Sequence, residues 1–372
     1  MLTKGVDITN VSANRALFFN QQSEGRRMKT LLKKSLVAAT GLAVSAALTT
    51  GASARTFTME IAGPGGCTVS TGMPLVKYAK HAGVDIQLAT GKTLTKSGIL
   101  VAQGKLDFST FVPFPYVLMQ RGAAMYKKLG AEKGKQLAAN LRGILGFECG
   151  VYTPVVWANS GITKWEQFKG KRIFTGPPSG AAAQNSEQFI RVMTGFEPNK
   201  DYEAVRLAWG GGQQAMRDGQ LDVYMRPLQV PSAMVEELMG IRQLRFLSIS
   251  EADLESPAMK KYIGAVGRYP GKINVKKHYG DGVLTETTEI RLPAFALIKI
   301  VGHHVDEDAV YTVTKAFWEN VAEIRAGDRT LGKLAKETAF TGLNIPLHIG
   351  AYKYYKEAGF DVPANLIPPE LK

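Results

Sequence analysis

A chain of 372 residues, 45% of them hydrophobic, is too long for one minimal core and too apolar for a disordered polymer; it fits two compact α/β lobes. The net charge of +14 is scattered, with no stripe of Lys/Arg interleaved with stacking aromatics. That argues against a nucleic-acid surface and leaves anionic solutes as the partners a basic protein attracts.

Residues 1–54 read as a leader. Met28-Lys29-Thr30-Leu31-Leu32-Lys33-Lys34 is a basic start, 35–50 is a mildly apolar run of small residues, and Ala52-Ser53-Ala54 is an A-x-A cleavage site. The expected start is Met28, the expected cut follows Ala54, and the expected location is the periplasm. No lipid-attachment cysteine lies near the cut. Cys67 and Cys149 are the only cysteines; in an exported chain they are either one disulfide or two free thiols, and spacing alone leaves both open.

Beyond the leader, Phe57, Met59 and Ile61 alternate with polar residues, which predicts a strand over 56–61. A Gly-rich turn leads to a helix over 73–79, with Pro74 in its first turn. Val84, Ile86 and Leu88 alternate again. A helix over 94–103 closed by Gly104 and a strand over 106–111 follow. This βαβαβ order implies a parallel sheet with right-handed crossovers. A second run repeats the plan. It has strands at 151–158 and 171–175, a helix over 181–194 closed by Gly195, and a strand at 204–207. A short helix at 213–218 and strands at 221–224 and 244–249 complete it. An apolar strand at 289–298 precedes an amphipathic helix over 306–325, with Val310, Val313, Phe317, Val321 and Ile324 on one face. A loop at 346–350 and an aromatic helix at 351–358 end the chain.

The halves echo each other. Ala102-Gln103-Gly104-Lys105-Leu106-Asp107-Phe108 resembles Arg217-Asp218-Gly219-Gln220-Leu221-Asp222-Val223: a helix end, a glycine, then a strand opening with Leu-Asp. Two similar α/β halves predict a ligand crevice between them, at the carboxyl ends of the strands.

Catalytic signatures fail. There is no G-x-S-x-G and no H-E-x-x-H. Gly91-Lys92-Thr93 lacks the glycine a phosphate loop needs at position 86, which is Ile86. None of His81, His278, His303, His304 and His348 has metal-ligand spacing with cysteine or carboxylates; His303-His304 reads as a surface turn. The expectation is a binding protein with no cofactor, no metal and no enzyme activity.

Binding chemistry is present. Gly176-Pro177-Pro178-Ser179-Gly180-Ala181 joins a strand to a helix, whose free N–H groups and positive dipole end favour an anion. The same segment also reads as an ordinary turn capped by Ser179. Thr68, Ser70 and Thr71 offer hydroxyls in the first strand–helix loop, or cap that helix. Arg226, after a strand end, has the fork that binds a carboxylate bidentately. Lys92 and Arg291 are further candidates of that kind. Trp165 and Trp209 read as packing residues.

Several blocks together resemble the extracytoplasmic solute receptors of TRAP transporters, specifically the TAXI subgroup. Asn159-Ser160-Gly161-Ile162-Thr163, Phe168-Lys169-Gly170-Lys171-Arg172-Ile173 and Gly176-Pro177-Pro178-Ser179-Gly180 form the strongest stretch. Tyr269-Pro270-Gly271, Val310-Tyr311-Thr312-Val313-Thr314-Lys315-Ala316 and Pro346-Leu347-His348-Ile349-Gly350-Ala351 follow in the family's order. The resemblance implies a two-lobed α/β periplasmic-binding-protein-like fold of type II that closes on a solute and delivers it to TRAP permease subunits in the membrane. The lobes would be 55–150 and 151–325, with 326–372 returning to the first. The chain departs from the family in its first loop, Gly63-Pro64-Gly65-Gly66-Cys67-Thr68, and its second, Thr90-Gly91-Lys92-Thr93-Leu94-Thr95. Arg226 stands where small residues are usual. These departures add positive charge and remove an acid, so the implied ligand is a small organic anion such as a dicarboxylate or oxoacid. Its expected contacts are Thr68, Ser70, Thr71, Thr90, Lys92, Thr93, Pro178, Ser179, Gly180, Ala181, Arg226 and Arg291. The competing readings are an enzyme on the same fold and a sensory subunit that docks a receptor kinase.

Overall fold

The computed structural model describes residues 55–63, 66–178 and 180–372, so the leader, its cleavage motif and Ser179 lie outside the described residues. The first elements are β1 (Phe57–Glu60), α1 (Cys67–His81), β2 (Ile86–Ala89), α2 (Leu94–Ala102), β3 (Phe108–Phe111), α3 (Pro113–Gln120) and α4 (Gly130–Ala139). A long strand β4 (Leu141–Trp157) leads to β5 (Arg172–Phe174), α5 (Ala181–Thr194), β6 (Glu203–Val205), α6 (Trp209–Arg217) and β7 (Val223–Leu228). Then come α7 (Ala233–Met239), β8 (Leu244–Phe246), α8 (Glu251–Glu255), α9 (Pro257–Ile263), β9 (Arg268–Asn274), α10 (Val275–Tyr279) and β10 (Val283–Leu284). A second long strand β11 (Glu289–Gly302) precedes α11 (Glu307–Glu319), α12 (Val321–Gly327) and α13 (Ile349–Glu357).

Strands β2-β1-β3 are parallel, and β3 is flanked by antiparallel β11 and then β4. In the second lobe β6-β5-β7 are parallel, and β7 is flanked by antiparallel β4 and then β11. Both lobes therefore follow one plan, with the two long strands in opposite order. β9 extends the sheet beyond β11, and β8 pairs the end of β4.

The repeat extends to single hydrogen bonds. Gly104 and Gly219 take the same left-handed turn, φ +68 and +69. Asp107 Oδ2 then accepts the Thr58 N–H of β1 at 2.9 Å, and Asp222 Oδ2 accepts the Arg172 N–H of β5 at 2.8 Å. Each carboxylate also pairs an arginine, Arg55 at 2.6 Å and Arg172 at 3.0 Å. The Leu-Asp echo in the sequence is thus a strand-to-strand tie used twice.

At about 3.3 Å per residue, β4 with 17 residues and β11 with 14 are long enough to serve both lobes. Their register shifts twice, leaving Cys149 and Ile144 unpaired as bulges. Only the second half of β4 falls within the strand expected at 151–158. Its first half carries Gly143 and Gly146, across which the C-terminal segment lies, with Gly143 N–H bonded to Pro346 O and Gly146 N–H to Ala339 O, both at 2.7 Å.

Strand β11 pairs β3 on one side and β4 and β9 on the other. Helix α11 packs on α1, and Lys77 of α1 pairs Glu323 of α12 at 3.0 Å. The C-terminal segment stays on the first lobe: Tyr355 Oη donates to Ile144 O at 2.8 Å, and Arg142 pairs Glu370. The amphipathic helix expected over 306–325 breaks at Asn320 into α11 and α12, with Asp306 as its N-cap. Helix α1 starts at Cys67, so Pro74 stands inside it and removes one helical hydrogen bond. The segment at 269–271 is strand, within β9. Among the described residues no helix is long and apolar enough to cross a membrane.

Candidate functional site

A cleft of about 960 Å³, counting its open mouth, lies between the lobes. It is built where parallel strands end and helices begin. Gly63 follows β1, Lys92 follows β2, Phe114 follows β3, Pro177 follows β5, Trp209 follows β6, and Arg226 lies in β7. The lobes touch across it: a methyl built on Gly63 would meet Trp209 Cβ at 3.1 Å, and one on Gly180 would meet Thr93 Cγ2 at 3.6 Å.

Three helices, α1, α2 and α5, begin at this cleft. None has a side-chain cap hydrogen bond or an acid in its first turn, so their positive dipole ends face the space. The N-cap position of α5 is Gly180; the expectation for Ser179 lies outside the described residues. Thr68, in the first turn of α1, is 4% exposed, and its Oγ1 has no partner among the described residues. A buried hydroxyl without a partner carries a cost that a ligand atom would relieve.

The charges are of one sign. The described lining residues include Lys92, Arg226 and Arg268, and no Asp, Glu or His. Lys92 leans toward Glu60 at 3.6 Å, itself bonded by Ser97 at 2.6 Å. Arg226 is buried. Its Nε donates to Pro227 O at 3.0 Å, and its Cζ lies 5.1 Å from the Trp209 ring centre and 5.8 Å from that of Tyr224. Its acceptor and its stacking partners are all neutral, so none of these described partners offsets its charge. Arg268 stacks on Tyr262 at 3.9 Å and donates to Tyr262 O, Asn185 Oδ1 and Gln188 Oε1, again neutral groups. Asn185 turns its amide to Tyr152 Oη at 3.0 Å; burial pushes that phenol's pKa up, so it stays a neutral hydrogen-bonding group.

Of the residues singled out in the sequence, Thr68, Lys92, Thr93, Gly180, Ala181 and Arg226 line the cleft. Ser70 sits one step behind it, donating to the lining residue Gln229 at 3.2 Å. Thr71 is buried inside α1, with its hydroxyl on Cys67 O at 2.8 Å. Thr90 and Pro178 are exposed and do not line the cleft. Arg291 is also absent from the lining; it pairs Glu251 at 2.6 Å. Trp165 packs against Phe168 and Phe189, as expected, whereas Trp209 is a cleft wall. Arg268, Asn185, Tyr152 and Phe114 were not singled out. No binding motif marks them in the sequence, and only the fold brings them together. Cys67 and Cys149, both in the lining, form a disulfide that ties the first turn of α1 to the bulge of β4, with Cα atoms 5.4 Å apart.

The family model described as NMT1-like family matches residues 75–359. Three solved structures are similar at low identity. The periplasmic aliphatic sulphonate binding protein of Escherichia coli is 12% identical, with TM-score 0.42, covering 80% of this chain and 78% of that chain. A TRAP periplasmic solute binding protein of a Sulfitobacter species, with bound β-D-galacturonate, is 11% identical, with TM-score 0.40, covering 82% and 96%. The periplasmic ectoine-binding protein of a Halomonas elongata TRAP transporter is 13% identical, with TM-score 0.39, covering 82% and 90%. The two α/β lobes joined by crossing strands are a periplasmic-binding-protein-like fold. The chain belongs to the NMT1-like family.

Proposed function

We propose that this protein is the periplasmic receptor of a TRAP-type secondary transporter of the TAXI group. It binds a small organic anion, a carboxylate, and passes it to the membrane permease. The observation that carries the anion reading is the charge of the cleft: Lys92, Arg226 and Arg268, three uncapped helix starts, and no carboxylate among the described lining residues. The ordered sequence blocks from Asn159 to Gly180 and from Pro346 to Ala351 support the transporter class. Binding would draw on both lobes at once, so the ligand favours the closed state. Of the predicted contacts, Thr68, Lys92, Thr93, Gly180, Ala181 and Arg226 serve this reading directly. An enzyme on this fold would need a proton donor and acceptor at the cleft, and the described lining offers no Asp, Glu or His for that task.

The test is a thermal-shift screen of the protein from residue 55 onward against carboxylates, amino acids and sulfonates. A binder at a thousand times its Kd stabilises by about 4 kcal/mol, a shift of several degrees. Stabilisation by anions only, with the ligand recovered unchanged, is the expected result. A ligand recovered chemically altered would favour the enzyme. Uptake into vesicles holding the permease should follow an ion gradient; uptake that requires ATP would sink the TRAP assignment.

A further inference from the structure

We infer that the solute is an aryl acid: an arene carrying a carboxylate or related oxyanion, and no α-ammonium group. The inference rests on the anion-receptor reading above and adds the chemistry of the solute's body. Each of the two cleft arginines is set beside an aromatic ring. Arg226 Cζ lies 5.1 Å from the Trp209 ring centre, and Arg268 Cζ lies 6.0 Å from that of Phe114. Trp209 stands at the start of α6 in the second lobe and Phe114 in α3 of the first, and both are only partly buried. Tyr152 and Phe295, both buried, add two further aromatic side chains to the lining, their ring centres 5.2 Å apart.

A short polar diacid would leave these rings nothing to pack on. It would lose its water to apolar walls and gain only two or three polar contacts in return. An arene placed against Trp209 or Phe114 gains apolar burial and ring–ring contact, while its acid group reaches the adjacent guanidinium. The absence of any Asp or Glu among the described lining residues leaves an α-ammonium without a counter-charge in the lining, beside the guanidiniums of Arg226 and Arg268. The lining that favours aryl acids therefore disfavours the corresponding amino acids.

Calorimetric titration of the protein from residue 55 onward tests this with matched ligands: 3-phenylpropanoate, benzoate, propanoate, succinate, 2-oxoglutarate and phenylalanine. The aryl acids are expected to bind at least ten times more tightly than propanoate and succinate, and 3-phenylpropanoate at least ten times more tightly than phenylalanine. Trp209 lines the cleft, so aryl binding should also change the tryptophan emission. Trp209→Leu and Phe114→Leu, on opposite lobes, should each reduce aryl affinity by a larger factor than aliphatic affinity. Aliphatic acids binding as tightly as the aryl acids would overturn the aryl assignment and leave the anion receptor standing. Phenylalanine binding as tightly as 3-phenylpropanoate would overturn the exclusion of ammonium. Binding of neutral or cationic solutes only, or of none of the aryl acids, would overturn the inference, and in the first of these cases the anion reading as well.

Discussion

Lys299 shows how much a single side chain in β11 is asked to tolerate. It is 1% exposed, and its Nζ donates to Thr110 Oγ1 at 2.7 Å and Thr68 O at 3.4 Å, both neutral acceptors. Burial pushes its pKa down to about 7. Between that value and the ordinary lysine range the unfolded chain holds more protons than the folded one, so stability rises with pH across the window. Below it both states are protonated, and the fold carries a buried ammonium. Lys299→Met is therefore expected to stabilise by a few kcal/mol at pH 6, in line with about 1.4 kcal/mol per pKa unit, and by less at pH 10. Thermal denaturation at the two pH values checks it; a variant less stable at both would mean that the bond to Thr110 outweighs desolvation. Arg226 is the other residue with a sharp expectation. Arg226→Ala should weaken anion binding by about 2–5 kcal/mol, and an unchanged Kd would remove it from the site. Arg226 was legible because it follows an apolar run that ends at the crevice. Arg268 was not, because Arg-Tyr-Pro-Gly looks like a turn until β9 is seen to pair with β11.

At the scale of elements, legibility followed local signals. Helix α5 was readable to the residue because its apolar period ends at Gly195, which takes the left-handed C-cap. Strand β4 was only half readable. Two bulges and the small residues under the C-terminal segment break the alternation that marks a strand. The disulfide at the bulge closes a separation of 82 residues. Replacing both cysteines with serine should cost about 2–5 kcal/mol, a loss that reductant should reproduce in the parent protein. Equal melting temperatures with and without reductant would show that the thiols are free in solution. Gly267, before β9, has φ +79, and a methyl there would stand 2.6 Å from the ring of Pro113 at the start of α3. Gly267→Ala is expected to hold the lobes apart and weaken ligand affinity by at least tenfold, a loss of about 1.4 kcal/mol. X-ray scattering should find the variant more expanded than the parent at saturating ligand; equal radii would refute the steric account.

For the whole molecule, the two-lobed plan was readable from alternating strand and helix signals and from the Leu-Asp echo, but the crossing point was not. A strand shared by two lobes looks in sequence like any other apolar run, and only its pairing reveals where it changes partners. The consequence of β4 and β11 both crossing is an order of assembly. The second lobe is one continuous stretch of chain, whereas the first is built from both ends of the described sequence, β1 to β3 at one end and α11 to α13 at the other. A chain emerging N-terminus first can complete the second lobe while the first still lacks half of its core. Local contacts close sooner than distant ones. During refolding, amides of β5 to β7 should therefore gain protection from hydrogen exchange before those of β1 to β3, and the cleft should become able to hold a solute only when the last helices arrive.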